Sequence, residues 1–203
     1  MISAKEALQR LMDGNLRFVA NASEIGHMRP SEFASDQKPF AIILGCSDSR
    51  VPAEIVFDQG LGDLFVIRVA GNIVAPSQVG SVEFAAERFG TRLVVVLGHS
   101  MCGAILATIE QLGQPWSDQS ANLRSIVDRV KPSVEALLRT ELSRDHDELV
   151  HQAVRANICA SANHLRHGSH ILEQLIQREG LLVVGAEYSL ETGKVDFFDG
   201  LPG

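Results

Sequence analysis

Apolar positions along this chain follow two rhythms, one helical and one of short unbroken runs, and the two alternate. Leu8, Leu11, Met12, Leu16 and Val19 recur at three- and four-residue spacing, which predicts one amphipathic helix over residues 3–20. Residues 21–38 are polar, contain Gly26 and Pro30 and show no period, so a connecting loop is expected there. Apolar runs at 40–45, 64–70 and 92–98 have the length and composition of buried strands. Between the last two, residues 81–89 are helical in pattern and stop at Gly90. A helix over 102–112, a loop over 113–119 and helices over 122–139 and 147–165 follow, the last entered by the Asp145 to Glu148 spacing of a capping box. Strands over 181–187 and 194–198 close the pattern around a Glu191-Thr192-Gly193 turn. Alternating strands and helices predict an α/β fold, a mostly parallel central sheet flanked by helices with the terminal strand at an edge. No repeat or linker divides residues 1–203, so one domain is expected, with 1–38 as a helical arm and loop and 39–203 as the α/β core. The leading helix has no obvious place in a two-layer domain and needs an apolar surface to cover.

Charge and cysteine usage narrow the class. A net charge of −7 and a pI near 5.5 give no electrostatic footprint for nucleic acid or anionic membrane. At this length the chain can bury a core without disulfide support, and its three cysteines, an odd number, imply no disulfide framework and suit a reducing compartment. The opening MISAKEALQR lacks a basic segment followed by an apolar core, and no apolar run approaches the ~20 residues of a membrane-spanning helix. A cytoplasmic location is expected.

The chemistry lies in two clusters, Cys46-Ser47-Asp48-Ser49-Arg50 and His99-Ser100-Met101-Cys102-Gly103, each directly after an apolar run. A thiolate from each, one imidazole and one carboxylate suit tetrahedral Zn²⁺ far better than calcium or magnesium, which prefer all-oxygen shells. Cys46 and Asp48 are two apart, so extended backbone sends both side chains to one side. His99 and Cys102 are three apart, a spacing that shares a face of a first helical turn, and the helix N-terminus favours a thiolate at Cys102. A single cysteine at a strand end is ordinarily just a small apolar residue. Two such clusters at strand ends of one α/β sheet, where functional residues collect, point to a site. Structural zinc favours short knuckles such as CxxC, which this chain lacks. His164, His167 and His170 read as the polar end of a helix and its exit, and Cys159 as a small buried residue.

The chain resembles the β-class carbonic anhydrases, in particular their bacterial members with an open, plant-like site. The resemblance is carried by CSDSR running into Val51-Pro52-Ala53-Glu54, by GHSMCGA, by Asp63 to Arg68 with Ala70-Gly71-Asn72, and by Leu11 to Phe18. It implies reversible hydration of CO₂ to bicarbonate by attack of zinc-bound hydroxide, one Zn²⁺ per chain, with Cys46, His99 and Cys102 as permanent ligands. Asp48 is then the variable element: paired with Arg50 it orients the nucleophile, and unpaired it takes the fourth zinc position in a closed state. The resemblance also implies substrate contacts from Gln37, reaching across a subunit boundary, and from Phe65 and Gly103. It implies a homodimer or homotetramer whose N-terminal helix packs on the partner. Departures from the family pattern are Ile43, where a second subgroup has a bicarbonate-binding tryptophan beside Arg68 and Tyr188, and Phe84, where plant-like members have tyrosine. The same scaffold is known in carbon disulfide and carbonyl sulfide hydrolases. A non-catalytic bicarbonate sensor with the zinc closed by Asp48 is a further alternative. A phosphatase using Cys46 would need an arginine six residues on, where Pro52 stands.

Overall fold

Successive residues of a strand face opposite sides of a sheet, and here both sides are apolar. Ile42 and Leu44 enter one core with Val94 and Val96, while Ala41 and Ile43 enter another with Leu93, Val95 and Leu97. The computed structural model describes residues 2–24, 36–112 and 120–202. Five strands, β1 (Ala41–Gly45), β2 (Leu64–Arg68), β3 (Leu93–His99), β4 (Leu182–Tyr188) and β5 (Val195–Asp199), form one sheet in the order β2-β1-β3-β4-β5. All neighbours are parallel except β5, which lies antiparallel to β4 at the edge. The α/β architecture and the edge position of the last strand are as the pattern predicts.

Seven helices flank the sheet among the described residues: α1 (Ala4–Val19), α2 (Ala53–Val56), α3 (Pro76–Arg88), α4 (Gly103–Leu112), α5 (Ala121–Leu138), α6 (His146–His167) and α7 (His170–Glu179). α1 and α2 cover one face, and α3 to α7 supply the core on the other. Four features depart from the sequence expectation. α3 begins at Pro76, whose fixed φ suits the first helical position. α2 is a single turn too short for a period to register. His170 opens a separate helix rather than closing α6, because Ser169 caps α7 by accepting from the Leu172 N–H. Finally, the N-terminal half of the apolar face of α1 is covered within its own chain, while Leu16 of that face stays 66% exposed. Ala4, Ala7, Leu8 and Leu11 are buried in one core with Phe40, Ile43 and Val56. Buried Asn15 fixes the helix there, its Nδ2 donating to the carbonyls of Val56 (3.1 Å) and Gly193 (2.9 Å) while its Oδ1 accepts from Val195 N–H (2.9 Å). Of the loop expected over 21–38, residues 25–35 lie outside the described residues, as does the 113–119 loop.

Close approach of α6 to the sheet sets the geometry around the strand ends. A side chain at Gly98 would meet Ile158 at 2.6 Å, and one at Gly185 would meet it at 2.8 Å. Ile158 therefore fills a notch that exists because β3 and β4 each place a glycine under α6.

Candidate metal centre

Parallel strands end in loops on one side of a sheet, and three of those ends converge here. β1 ends at Gly45 and hands Cys46 to the site, while β3 ends at His99 itself. Ser100 and Met101 turn the chain, Met101 in the left-handed region at φ 54°, and Cys102 follows immediately before α4. His99 and Cys102 thus meet through a tight turn rather than along one helical face.

The Cys46 and Cys102 sulfurs are 3.9 Å apart, and with His99 the three ligand atoms lie within 4.8 Å of one another, all buried. Two Zn–S bonds of about 2.3 Å at a tetrahedral angle put their sulfurs ~3.8 Å apart, so the pair is spaced for one zinc. His99 Nδ1 lies 2.9 Å from the Ser100 carbonyl, a contact that places the proton on Nδ1 and the lone pair on Nε2. Nε2 is buried with no hydrogen-bond partner among the described residues, an orphaned acceptor aimed into the cluster. The donor set and this orphan together fit a zinc ion.

The sulfur–sulfur contact with Cys102 holds the Cys46 thiol well below its ordinary value, against the opposing effect of burial. The same contact pushes Cys102 strongly up, with burial adding to it. Backbone N–H groups at the start of α4 do favour the Cys102 thiolate, as its place before a helix suggests, but its neighbour's charge outweighs them. A cation held between the two sulfurs would stabilise both as thiolates.

Asp48 sits on the rim. Arg50 grips it with two parallel bonds, Nε to Oδ1 at 2.9 Å and an Nη to Oδ2 at 2.8 Å, and the Arg50 N–H adds a third to Oδ1 at 3.0 Å. This grip holds the carboxyl well below the usual carboxylate range. Oδ2 is 3.8 Å from His99 Nε2, near the cluster yet committed to Arg50. Arg68, at the end of β2, donates to the carbonyls of Cys46 (3.0 Å) and Asp48 (2.5 Å) and so braces the backbone that carries both.

The remaining expected site residues spread outward. Gly103 is the first residue of α4, with open space where a side chain would project. Phe65 lies on edge strand β2, its ring 6.3 Å from Phe84 and 6.1 Å from Phe89, and Phe84 is 53% exposed. Gln37 precedes β1 and lines a groove with Arg10, Phe40, Arg88 and Phe89. It lies at the opposite end of β1 from Cys46, across a strand of about 16 Å, so it does not reach the metal cluster of its own chain. Ile43 is wholly buried, and Tyr188 is buried against Phe18.

The Ala70-Gly71-Asn72 motif touches the site, and two residues that the sequence does not reveal hold it there. The Gly71 N–H donates to the Cys46 sulfur at 3.4 Å, from a 3-10 turn over Ala70–Asn72. Asn157 and Ser161 of α6 donate to the carbonyls of Gly71 and Asn72. Their signal is two small polar residues at helical spacing on an otherwise apolar face.

A buried thiolate–imidazole centre at the strand ends of a parallel sheet, with a carboxylate held beside it, defines a mononuclear zinc enzyme of the α/β class. Comparison with known proteins makes the assignment specific. Residues 41–195 match the family model for carbonic anhydrase. The chain is 39% identical over 193 residues to a carbonic anhydrase of Mycolicibacterium smegmatis, covering 94% of this chain and 91% of that one. It is 38% identical over 195 residues to carbonic anhydrase 2 of Mycobacterium tuberculosis, covering 93% and 89%. A solved structure of tetrameric β-carbonic anhydrases from Sordaria macrospora superposes with a TM-score of 0.73 at 25% identity, covering 83% of this chain and 84% of that one. The chain belongs to the β-carbonic anhydrase family. It is accordingly a lyase whose cofactor is zinc.

Proposed function

We propose that this protein hydrates CO₂ reversibly at an open site in which Asp48, held by Arg50, is the gating and orienting residue. The observation that carries the reading is the three-bond grip of Arg50 on Asp48, beside a His99 nitrogen left without a partner. Cys46, His99 and Cys102 would hold the zinc, which when bound supplies a Lewis acid that brings the pKa of water to about 7. Asp48, kept ionised by Arg50, uses Oδ2 to accept a hydrogen bond from the attacking water and so fixes the direction of its lone pair toward the carbon of CO₂. Water and CO₂ give bicarbonate and one proton. For Asp48 to close the site it must first leave Arg50, and the planar two-point geometry of that pair opposes this. The same pairing argues against a permanently closed, non-catalytic sensor.

Gln37, Phe65 and Gly103 complete the substrate pocket in this reading, with Gln37 and Phe65 serving it across a subunit boundary. The support is their placement at the far end of β1 and on an edge strand. A homodimer or homotetramer follows, and the Sordaria enzymes are described as tetrameric. A cytoplasmic site of action is supported by three cysteines that all remain free, and no helix among the described residues is long and apolar enough to cross a membrane. The deciding experiment is Asp48→Asn at matched zinc content. Hydration is expected to fall roughly 10²-fold or more with zinc retained; full activity would remove Asp48 from the reaction.

A further inference from the structure

The turn that touches the Cys46 sulfur is closed by one bond of its own, from the Asn72 N–H to the Val69 carbonyl at 3.0 Å, and its strained backbone needs more than that. Gly71 (φ 69°, ψ 19°) and Asn72 (φ 43°) are consecutive left-handed residues, and a non-glycine residue in that region persists only where its surroundings impose it. The surroundings here are α6. Asn157 Nδ2 donates to the Gly71 carbonyl at 2.8 Å, and Ser161 Oγ donates to the Asn72 carbonyl at 3.0 Å. Asn157 and Ser161 are four residues apart, on one face of the helix, and 2% and 6% exposed. Between them in sequence, Ile158 seats α6 in the notch over Gly98 and Gly185. From the other side, a side chain at Gly71 would meet the Ala104 methyl of α4 at 3.0 Å. Turn 70–72 is thus clamped between two helices, and its free N–H points at a metal-ligand sulfur.

We propose that Asn157 and Ser161 are positioning residues for the metal centre, locking turn 70–72 so that the Gly71 N–H bonds to the Cys46 thiolate. This rests on the reading of Cys46 as a zinc ligand. An N–H bonded to a thiolate draws charge from the sulfur, so the bond governs how strongly that ligand donates to the metal as well as where it sits. Partners of this outer kind typically change metal affinity 10- to 100-fold when removed. A purely structural role for Asn157, satisfying a buried carbonyl, would change stability and leave the sulfur's electronic state alone.

The test uses the full chain loaded with Co²⁺ or Zn²⁺, comparing wild type with Asn157→Leu, Ser161→Ala and, as a control that loosens α6 without touching the hydrogen bonds, Val154→Ala. Two quantities are read: the energy of the thiolate-to-cobalt charge-transfer band and the zinc affinity by chelator competition. The proposal expects both Asn157→Leu and Ser161→Ala to move the band to lower energy and weaken zinc binding about tenfold, with neither change in Val154→Ala. It is overturned if the two variants keep the wild-type band and affinity, or if Val154→Ala shifts both equally. Should Asn157→Leu not fold, Ser161→Ala decides alone by the same readouts. Failure of the wild type to bind Co²⁺ with such a band would instead refute the metal site itself.

Discussion

Arg68 illustrates how a residue's role can differ from the one its type suggests. A cation beside a site that handles bicarbonate invites assignment to the anion, yet both donors assigned to it go to the carbonyls of Cys46 and Asp48. It is a brace for the loop that carries one ligand and the gate. Arg68→Met keeps the apolar stem and removes that brace, and is expected to weaken zinc binding by about an order of magnitude in a chelator competition. An unchanged affinity would return Arg68 to the anion-binding role. The residues legible from sequence, Cys46, Asp48, Arg50, His99 and Cys102, fall in two short clusters of metal-ligating and charged types, each at a strand end. Asn157 and Ser161 escape such reading, and Arg68 and Gly71 stand in a recognisable motif without revealing what they do, because the hydrogen bonds of all four join segments that only the folded topology brings together.

At the scale of elements, the seating of α6 on the sheet fixes the site's frame. Gly98→Ala places a methyl where Ile158 already lies and is expected to destabilise the protein by roughly 1–3 kcal/mol, measured by urea unfolding. Combined with Ile158→Ala, the cost should be less than the sum of the two singles, since the smaller side chain relieves the clash. Strict additivity would mean that the notch does not couple the two. The strands were readable because each is a short apolar run flanked by turns, and the long helices because their periods extend over several turns. α7 was not, although Ile171, Leu172, Leu175 and Ile176 have helical spacing: only Ser169 stands between the Gly168 that ends α6 and the first residue of α7. α2 and turn 70–72 are too short to carry a period, and the left-handed Asn72 follows from its neighbours rather than from its type.

Across the whole molecule, α1 is tied to the turn that follows α2 by an ion pair between Arg17 and Asp58 that senses acid. Asp58 has no exposed side chain; burial would push its carboxyl up, but Ser23, Arg17 and the Glu24 N–H together hold it at about 2. Its folded value lies below the ~3.9 of an unfolded aspartate, so the unfolded chain takes up the proton first. The stabilisation is complete above about pH 5 and is lost as pH falls through 4 toward 2. Asp58→Asn should therefore be less stable than wild type at pH 6, and the gap should narrow on acidification, as followed by thermal unfolding. A gap independent of pH would place the effect in packing.

The most direct test of the central claim is stopped-flow CO₂ hydration by the zinc-loaded protein from about pH 6.5 to 9, with metal content measured on the same sample. With Asp48 held by Arg50 as seen here, activity should already be high near pH ~7.5. Activity appearing only above roughly pH 8 would contradict the open pairing, and its absence at every pH with one zinc per chain would contradict CO₂ hydration itself.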